Sequence, residues 1–150
     1  MSIFEQSKSY RPFVYPWMVE AEVKHRVDMH WSEVQVDLSD DLRQYHSKGG
    51  LGTPTVTHES NKARLEKLLP LFTESDASVG AGYAQLLAHI GNNETRMLLM
   101  TQAAREVTHA RGYALANETF GFPESSWASF LEYQEMSDKI SQSWELIVID

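Results

Sequence analysis

The sequence predicts an all-α chain, a partial helical bundle preceded by an irregular N-terminal arm. Three observations lead there. From Glu59 onward, apolar residues recur at three- and four-residue spacing, the period of a helix with one buried face. Clusters of glycine, proline and asparagine cut that stretch into helix-length pieces. Only one short alternation of apolar and polar residues, at Val34, Val36 and Leu38, reads as a strand.

Residues 1–16 are mixed in character and end in Tyr15-Pro16, an irregular segment with aromatic anchors. A short helix is expected over about 18–26, with Met18 and Ala21 among its apolar residues. The strand-like run at 34–38 is stopped by Ser39-Asp40-Asp41, which also suits a helix N-cap with acids in the first turn. A brief helical turn over 43–45 follows. Residues 48–57, KGGLGTPTVT, form the clearest loop. No Lys-Ser/Thr helix start comes after its glycines, so it is not a phosphate loop.

Leu65, Leu68, Leu69 and Phe72 then mark a helix face, and Pro70 predicts a kink or break near Leu69. A second helical stretch spans 75–90, with Val79, Tyr83, Leu86, Leu87 and Ile90 on one side. Gly80 and Gly82 lower its helicity and point to close packing there. After the break at Gly91-Asn92-Asn93, a long helix is expected from Asn93 to about Glu118. Its core candidates are Met97, Leu98, Met100, Ala104, Val107 and Leu115. Gly121-Phe122-Pro123 closes it, and a last helix covers about 125–141. The ending, SQSWELIVID, contains an apolar β-type run at 146–149 unlike the chain before it. The expected organisation is therefore an arm and loop over 1–58, half of a bundle over 59–140, and an unrelated or truncated tail over 141–150.

Composition narrows the function. The formal net charge of −8 opposes both a nucleic-acid binder and a surface drawn to anionic lipid. No cysteine is present, so disulfides, thiolate nucleophiles and Cys-ligated metals are excluded. Any metal must sit on histidine and carboxylate. No apolar run approaches the ~20 residues of a membrane helix, and the first ten residues lack the order of a signal peptide. A cytoplasmic protein, bound to neither nucleic acid nor membrane, is expected.

The chemistry-bearing pattern lies in the long helix, at Glu106-Val107-Thr108-His109. Helical residues advance by about 100° and 1.5 Å, so Glu106 and His109 stand about 60° apart around the axis and one turn apart along it. A carboxylate and an imidazole so placed can ligate one metal ion or two adjacent ones, as in dimetal carboxylate bundles. Tyr113 returns to almost the same azimuth about 10 Å farther along. Alone, Glu-x-x-His is a common coincidence, and an exposed Glu with a half-buried His is the more frequent explanation. Asp76 begins the preceding helical stretch and could be brought level with Glu106 by an antiparallel return; an aspartate in a first turn also simply caps its helix. Tyr113 would otherwise be a core tyrosine, and Trp31 a packing residue. His25, His30, His46, His58 and His89 belong to no such motif and read as structural or solvated.

As a set, these motifs are more specific. Glu106-Val-Thr-His109-Ala-Arg-Gly-Tyr113-Ala-Leu, followed by Glu118-Thr-Phe-Gly-Phe-Pro-Glu124, resembles the first Glu-x-x-His helix of the class I ribonucleotide reductase small subunit. Phe130-Leu-Glu-Tyr-Gln-Glu-Met136 is similar to the next helix of its phage and bacterial branch. Ser75-Asp76 resembles the segment of the family's first metal ligand, and Met29-His30-Trp31-Ser32-Glu33-Val34 the segment of its radical-path tryptophan. The resemblance runs from about Tyr15 to Met136. It implies a ferritin-like bundle and a dinuclear iron or manganese cofactor, two ions per complete site, with no organic cofactor pocket. Asp76, Glu106 and His109 would be metal ligands, Tyr113 the tyrosine oxidised to a stable radical, and Trp31 an electron relay. The implied activity is that of ribonucleoside-diphosphate reductase, which supplies deoxyribonucleotides for DNA replication. The implied partners are a second copy of the chain and the large catalytic subunit.

Part of the family's pattern is missing. After Met136 there is no second Glu-x-x-His, and the only later acids are Asp138, Glu145 and Asp150. The resemblance breaks off near Lys139. The expectation is a truncated or split gene product, inactive until a complementary C-terminal small-subunit fragment joins it. Two alternatives stand beside it. Two copies could form a symmetric dimetal protein from paired half-sites, or the chain could be a non-catalytic helical fragment.

Overall fold

The computed structural model describes residues 2–145; the β-type run expected at 146–149 lies outside them. Its elements are α1 (Pro16–Val23), a π-helical turn (Lys24–Asp28), a 3₁₀ turn (Glu33–Gln35), α2 (Ser39–His46), α3 (His58–Leu86), α4 (Asn93–Phe120), a 3₁₀ segment (Glu124–Glu132) and α5 (Gln134–Glu145). The chain is all-α, with no strand among the described residues, as an irregular partial ferritin-like bundle requires. No helix among them is long and apolar enough to cross a membrane.

α3 and α4 make the principal helix pair, and α1 packs on α4. The ends of α4 are set by local chemistry. The buried Asn92 side chain accepts from the Thr95 N–H at 2.9 Å, satisfying an otherwise orphaned donor. At the far end Gly121 is left-handed (φ +73°) and the Phe122 N–H returns to the Asn117 carbonyl. The turn between α3 and α4 is stapled by Arg96, whose Nη1 donates to the carbonyls of Leu87 and Ile90 at 2.9 Å each.

The N-terminal residues close that turn from outside. Gly91 and Asn92 donate to the Ile3 carbonyl, and Ser7 donates to the Gly91 carbonyl. A Cβ at Gly91 would lie 2.6 Å from the backbone of Glu5 and Gln6, so only glycine permits this crossing. Farther along the arm, the Val14 and Tyr15 amides donate to Glu94 Oε1. Glu94 is 2% exposed, and Asn92 Nδ2 donates to its other oxygen at 2.8 Å. Burial pushes this carboxyl up, but the backbone donors of Glu94, Tyr15 and Val14, with Asn92, together hold it below the ordinary range.

Four local expectations are corrected. The run Val34, Val36, Leu38 is not a strand. The Ser32 N–H instead donates to Gln35 Oε1 and closes a 3₁₀ turn, leaving Val34 82% exposed with no neighbouring strand. The brief turn expected at 43–45 is the two-turn helix α2, nucleated where Asp37 Oδ1 accepts from both the amide and hydroxyl of Ser39. The break near Leu69 does not occur. Pro70 deprives the ladder of one N–H, but its ring is buried and α3 runs through it, merging the two expected helices into one of 29 residues. The single last helix is a 3₁₀ segment followed by α5, anchored by the buried Phe130 and by Lys67 donating to the Tyr133 hydroxyl.

Candidate metal centre

The continuity of α3 decides how Asp76 is read. The residue lies in the interior of His58–Leu86, not in a first turn, so helix capping does not account for it. α4 runs alongside and presents Glu106 and His109 one turn apart in its own interior. Gly80, one turn beyond Asp76, faces α4 at the level of Glu106. A Cβ there would meet the Glu106 Cβ at 3.4 Å and the Ala103 carbonyl at 3.7 Å.

The three side chains converge. One ligand atom from each of Asp76, Glu106 and His109 lies within 4.8 Å of the others. His109 Nδ1 is 3.2 Å from Glu106 Oε2 and 3.9 Å from Asp76 Oδ2. All three are half-buried. Burial and the facing Glu106 carboxylate push the Asp76 carboxyl above its ordinary range, and His109 offsets part of this. Two facing carboxylates and an imidazole, partly withdrawn from water, form a cluster that a cation would relieve. Hard oxygen donors with one imidazole suit iron or manganese. A dinuclear centre in a helical bundle draws on four carboxylates and two histidines, so these residues amount to half of that donor set.

Trp31 and Tyr113 flank the cluster. The Trp31 indole stacks on the His109 ring, with centroids 5.9 Å apart and planes at 24°. Tyr113, one turn beyond His109, packs against Phe72 of α3 at 5.4 Å between centroids. Trp31, His109 and Tyr113 line one cavity of about 410 Å³, whose remaining wall is largely apolar, including Leu65, Leu69 and Ala116. His109 thus belongs both to the cluster with Asp76 and Glu106 and to the cavity lined by Trp31 and Tyr113.

The sequence reading missed the α4 residues that contact the segment around Trp31. Arg105 Nη1 donates to the Met29 carbonyl at 2.7 Å and to the His25 carbonyl at 3.4 Å. Arg111 Nε donates to Glu33 Oε1 at 2.6 Å, which holds the Glu33 carboxyl below its usual range. The Gly112 backbone faces the Trp31 indole. The one available signal was an unexplained glycine inside the long helix.

The model of the ribonucleotide reductase small chain matches residues 7–145 of this sequence. The chain belongs to the ribonucleotide reductase small-chain family. Two viral relatives agree. The probable ribonucleoside-diphosphate reductase small subunit 048L of Invertebrate iridescent virus 3 is 31% identical over 144 residues, covering 92% of this chain and 36% of the relative. The corresponding protein 376L of Invertebrate iridescent virus 6 is 29% identical over 140 residues, covering 93% and 36%. The family match contains Trp31, Asp76, Glu106, His109 and Tyr113. The chain spans only 36% of the length of these curated relatives.

Proposed function

We propose that this chain supplies the first half of the dimetal site, and the radical tyrosine, of a cytoplasmic ribonucleoside-diphosphate reductase small subunit. The observation that carries the reading is the convergence of Asp76, Glu106 and His109 from two adjacent helices of a small-chain family member. A dinuclear iron or manganese group bound there would supply the one-electron oxidising power that turns the Tyr113 phenol into a neutral radical. The chain's own residues do the rest. Asp76 and Glu106 offer carboxylate oxygens, and His109 offers an imidazole nitrogen. Phe72 packs on the Tyr113 ring and the adjoining cavity wall is largely apolar, which leaves the phenol half-buried in this chain. Trp31, stacked on His109, gives electrons a route between the site and the outer surface of the arm.

Completion needs a complementary segment bearing a second Glu-x-x-His helix. Reduction of ribonucleotides to deoxyribonucleotides further needs the large subunit, with the small subunit acting as a homodimer. The test is co-expression of this chain with a C-terminal small-subunit fragment, followed by electron paramagnetic resonance. A tyrosyl signal is expected. Tyr113→Phe should abolish it while the metal content stays unchanged. A complex that binds metal but gives no such signal, or one that Tyr113→Phe leaves intact, overturns the reading.

A second reading has one observation in its favour. Doubling Asp76, Glu106 and His109 yields the four carboxylates and two histidines of a symmetric site. Metal analysis of the purified chain discriminates. One metal pair per dimer without any added fragment supports the homodimeric site, and metal found only in the two-fragment complex removes it.

A further inference from the structure

Trp31 sits in the connection between the π-helical turn and the 3₁₀ turn, outside any regular element. No helical ladder fixes its ring, yet the indole lies nearly parallel to His109. The constraint comes from α4. Arg105 holds the Met29 carbonyl on one side of Trp31, and Arg111 holds the Glu33 carboxylate on the other. Between them, Gly112 leaves the space that the indole fills. A Cβ built there would come within 3.0 Å of the outermost indole carbon, Cη2, and 3.5 Å of Cζ3.

Two features indicate that this arrangement serves position rather than the stability of the fold. A glycine in a helix interior costs helicity relative to alanine, and α4 bears that cost where the indole needs room. The Arg111 side chain is largely exposed, and solvent screens its pair with Glu33. Such a pair contributes little to folding, but it is directional and selects one orientation of the connection that carries Trp31.

We propose that Gly112 and the Arg111–Glu33 pair are positioning residues that seat the Trp31 indole against the His109 imidazole. The inference rests on the reading of Trp31 as a relay for its purpose, though not for its geometry. The test uses the metal-free full chain and the ring-current shift that a stacked indole imposes on the His109 ring protons. Trp31→Leu calibrates that shift. Gly112→Ala, whose Cβ must displace the indole edge by a few tenths of an ångström, and Arg111→Met should each measurably reduce it, while far-UV circular dichroism and the thermal midpoint hold or, for Gly112→Ala, rise. Arg111→Lys should retain it. The seat is overturned if Trp31→Leu leaves the His109 protons unmoved, or if Gly112→Ala and Arg111→Met both keep the wild-type shift. Because the measurement needs no metal, a failure to bind metal would defeat the proposed function and leave this result standing.

Discussion

The Asp76 carboxyl is raised first by burial and then by the facing Glu106. A carboxyl whose pKa is higher in the folded state favours folding while protonated, and that contribution is lost as pH rises through the folded value. Ionising Asp76 as pH rises therefore works against folding in the metal-free chain, with His109 offsetting only part of the cost. Asp76→Asn should raise the thermal midpoint of the metal-free chain at neutral pH. In acid, below the unfolded-state pKa, the advantage should vanish, and melts at the two pH values measure the difference. The same substitution removes a ligand and should weaken manganese(II) or iron(II) binding by about 100-fold or more, since even groups that only support a ligand are worth ~10–100-fold. Gly80 gives a steric counterpart. At 3.4 Å an added Cβ makes ordinary contact with Glu106. Gly80→Ala should thus keep metal affinity and stabilise α3 by up to ~1 kcal/mol. Gly80→Leu should push α4 away and lose the metal, and calorimetric titration of both variants separates the outcomes.

Among the elements, Glu94 of α4 anchors the segment that leads into α1. Glu94 accepts from the Val14 and Tyr15 amides while almost fully buried, and its pKa is lowered. Its contribution is therefore present above the unfolded-state pKa and lost as pH falls through the folded one. Glu94→Ala should cost about 2–3 kcal/mol, the scale of a buried charged acceptor that leaves its donors unsatisfied. Amide exchange at Val14 should accelerate in the variant, and in the wild type on acidification. Protection of that amide unchanged in Glu94→Ala would show that the arm is held elsewhere. The arm was also the part least legible in the sequence. α3 and α4 announce themselves by apolar period, and Glu106 with His109 is a spacing within one helix, so local geometry sufficed. Trp31 has no period to place it; its position is set by Arg105, Arg111 and Gly112, some 75–80 residues away in sequence. Val34 to Leu38 alternates like a strand, but a strand needs a partner that sequence period cannot supply. Pro70 was misread because the general cost of a helical proline says nothing of whether its buried ring can be accommodated.

The whole molecule leaves much apolar surface in water. Among the described residues, the buried hydrophobic side chains besides Pro70 are Tyr45, Ile90, Ala116, Phe122 and Phe130. On α3 and α4, Leu68, Phe72, Val79, Met100 and Val107 are each more than 40% exposed. The chain's accessible surface is 9825 Å², against roughly 7,700 Å² for a compact monomer of this mass. The exposed apolar side chains of α3 and α4 are part of that excess. Such faces drive association; under the proposed function their partners are the helices of a complementary segment. The isolated chain should therefore melt over a broad range, at a midpoint that moves with protein concentration. Addition of the complementary fragment should sharpen the transition and raise it by ~10 °C or more, because a partner that binds only the folded state stabilises by mass action. Val107→Lys, at an α4 residue 58% exposed, should weaken that complex and reduce the concentration dependence of the isolated chain's midpoint. Thermal scans at several concentrations, with and without the fragment, check both arms. A sharp, concentration-independent transition of the chain alone would mean that these faces are satisfied without a partner.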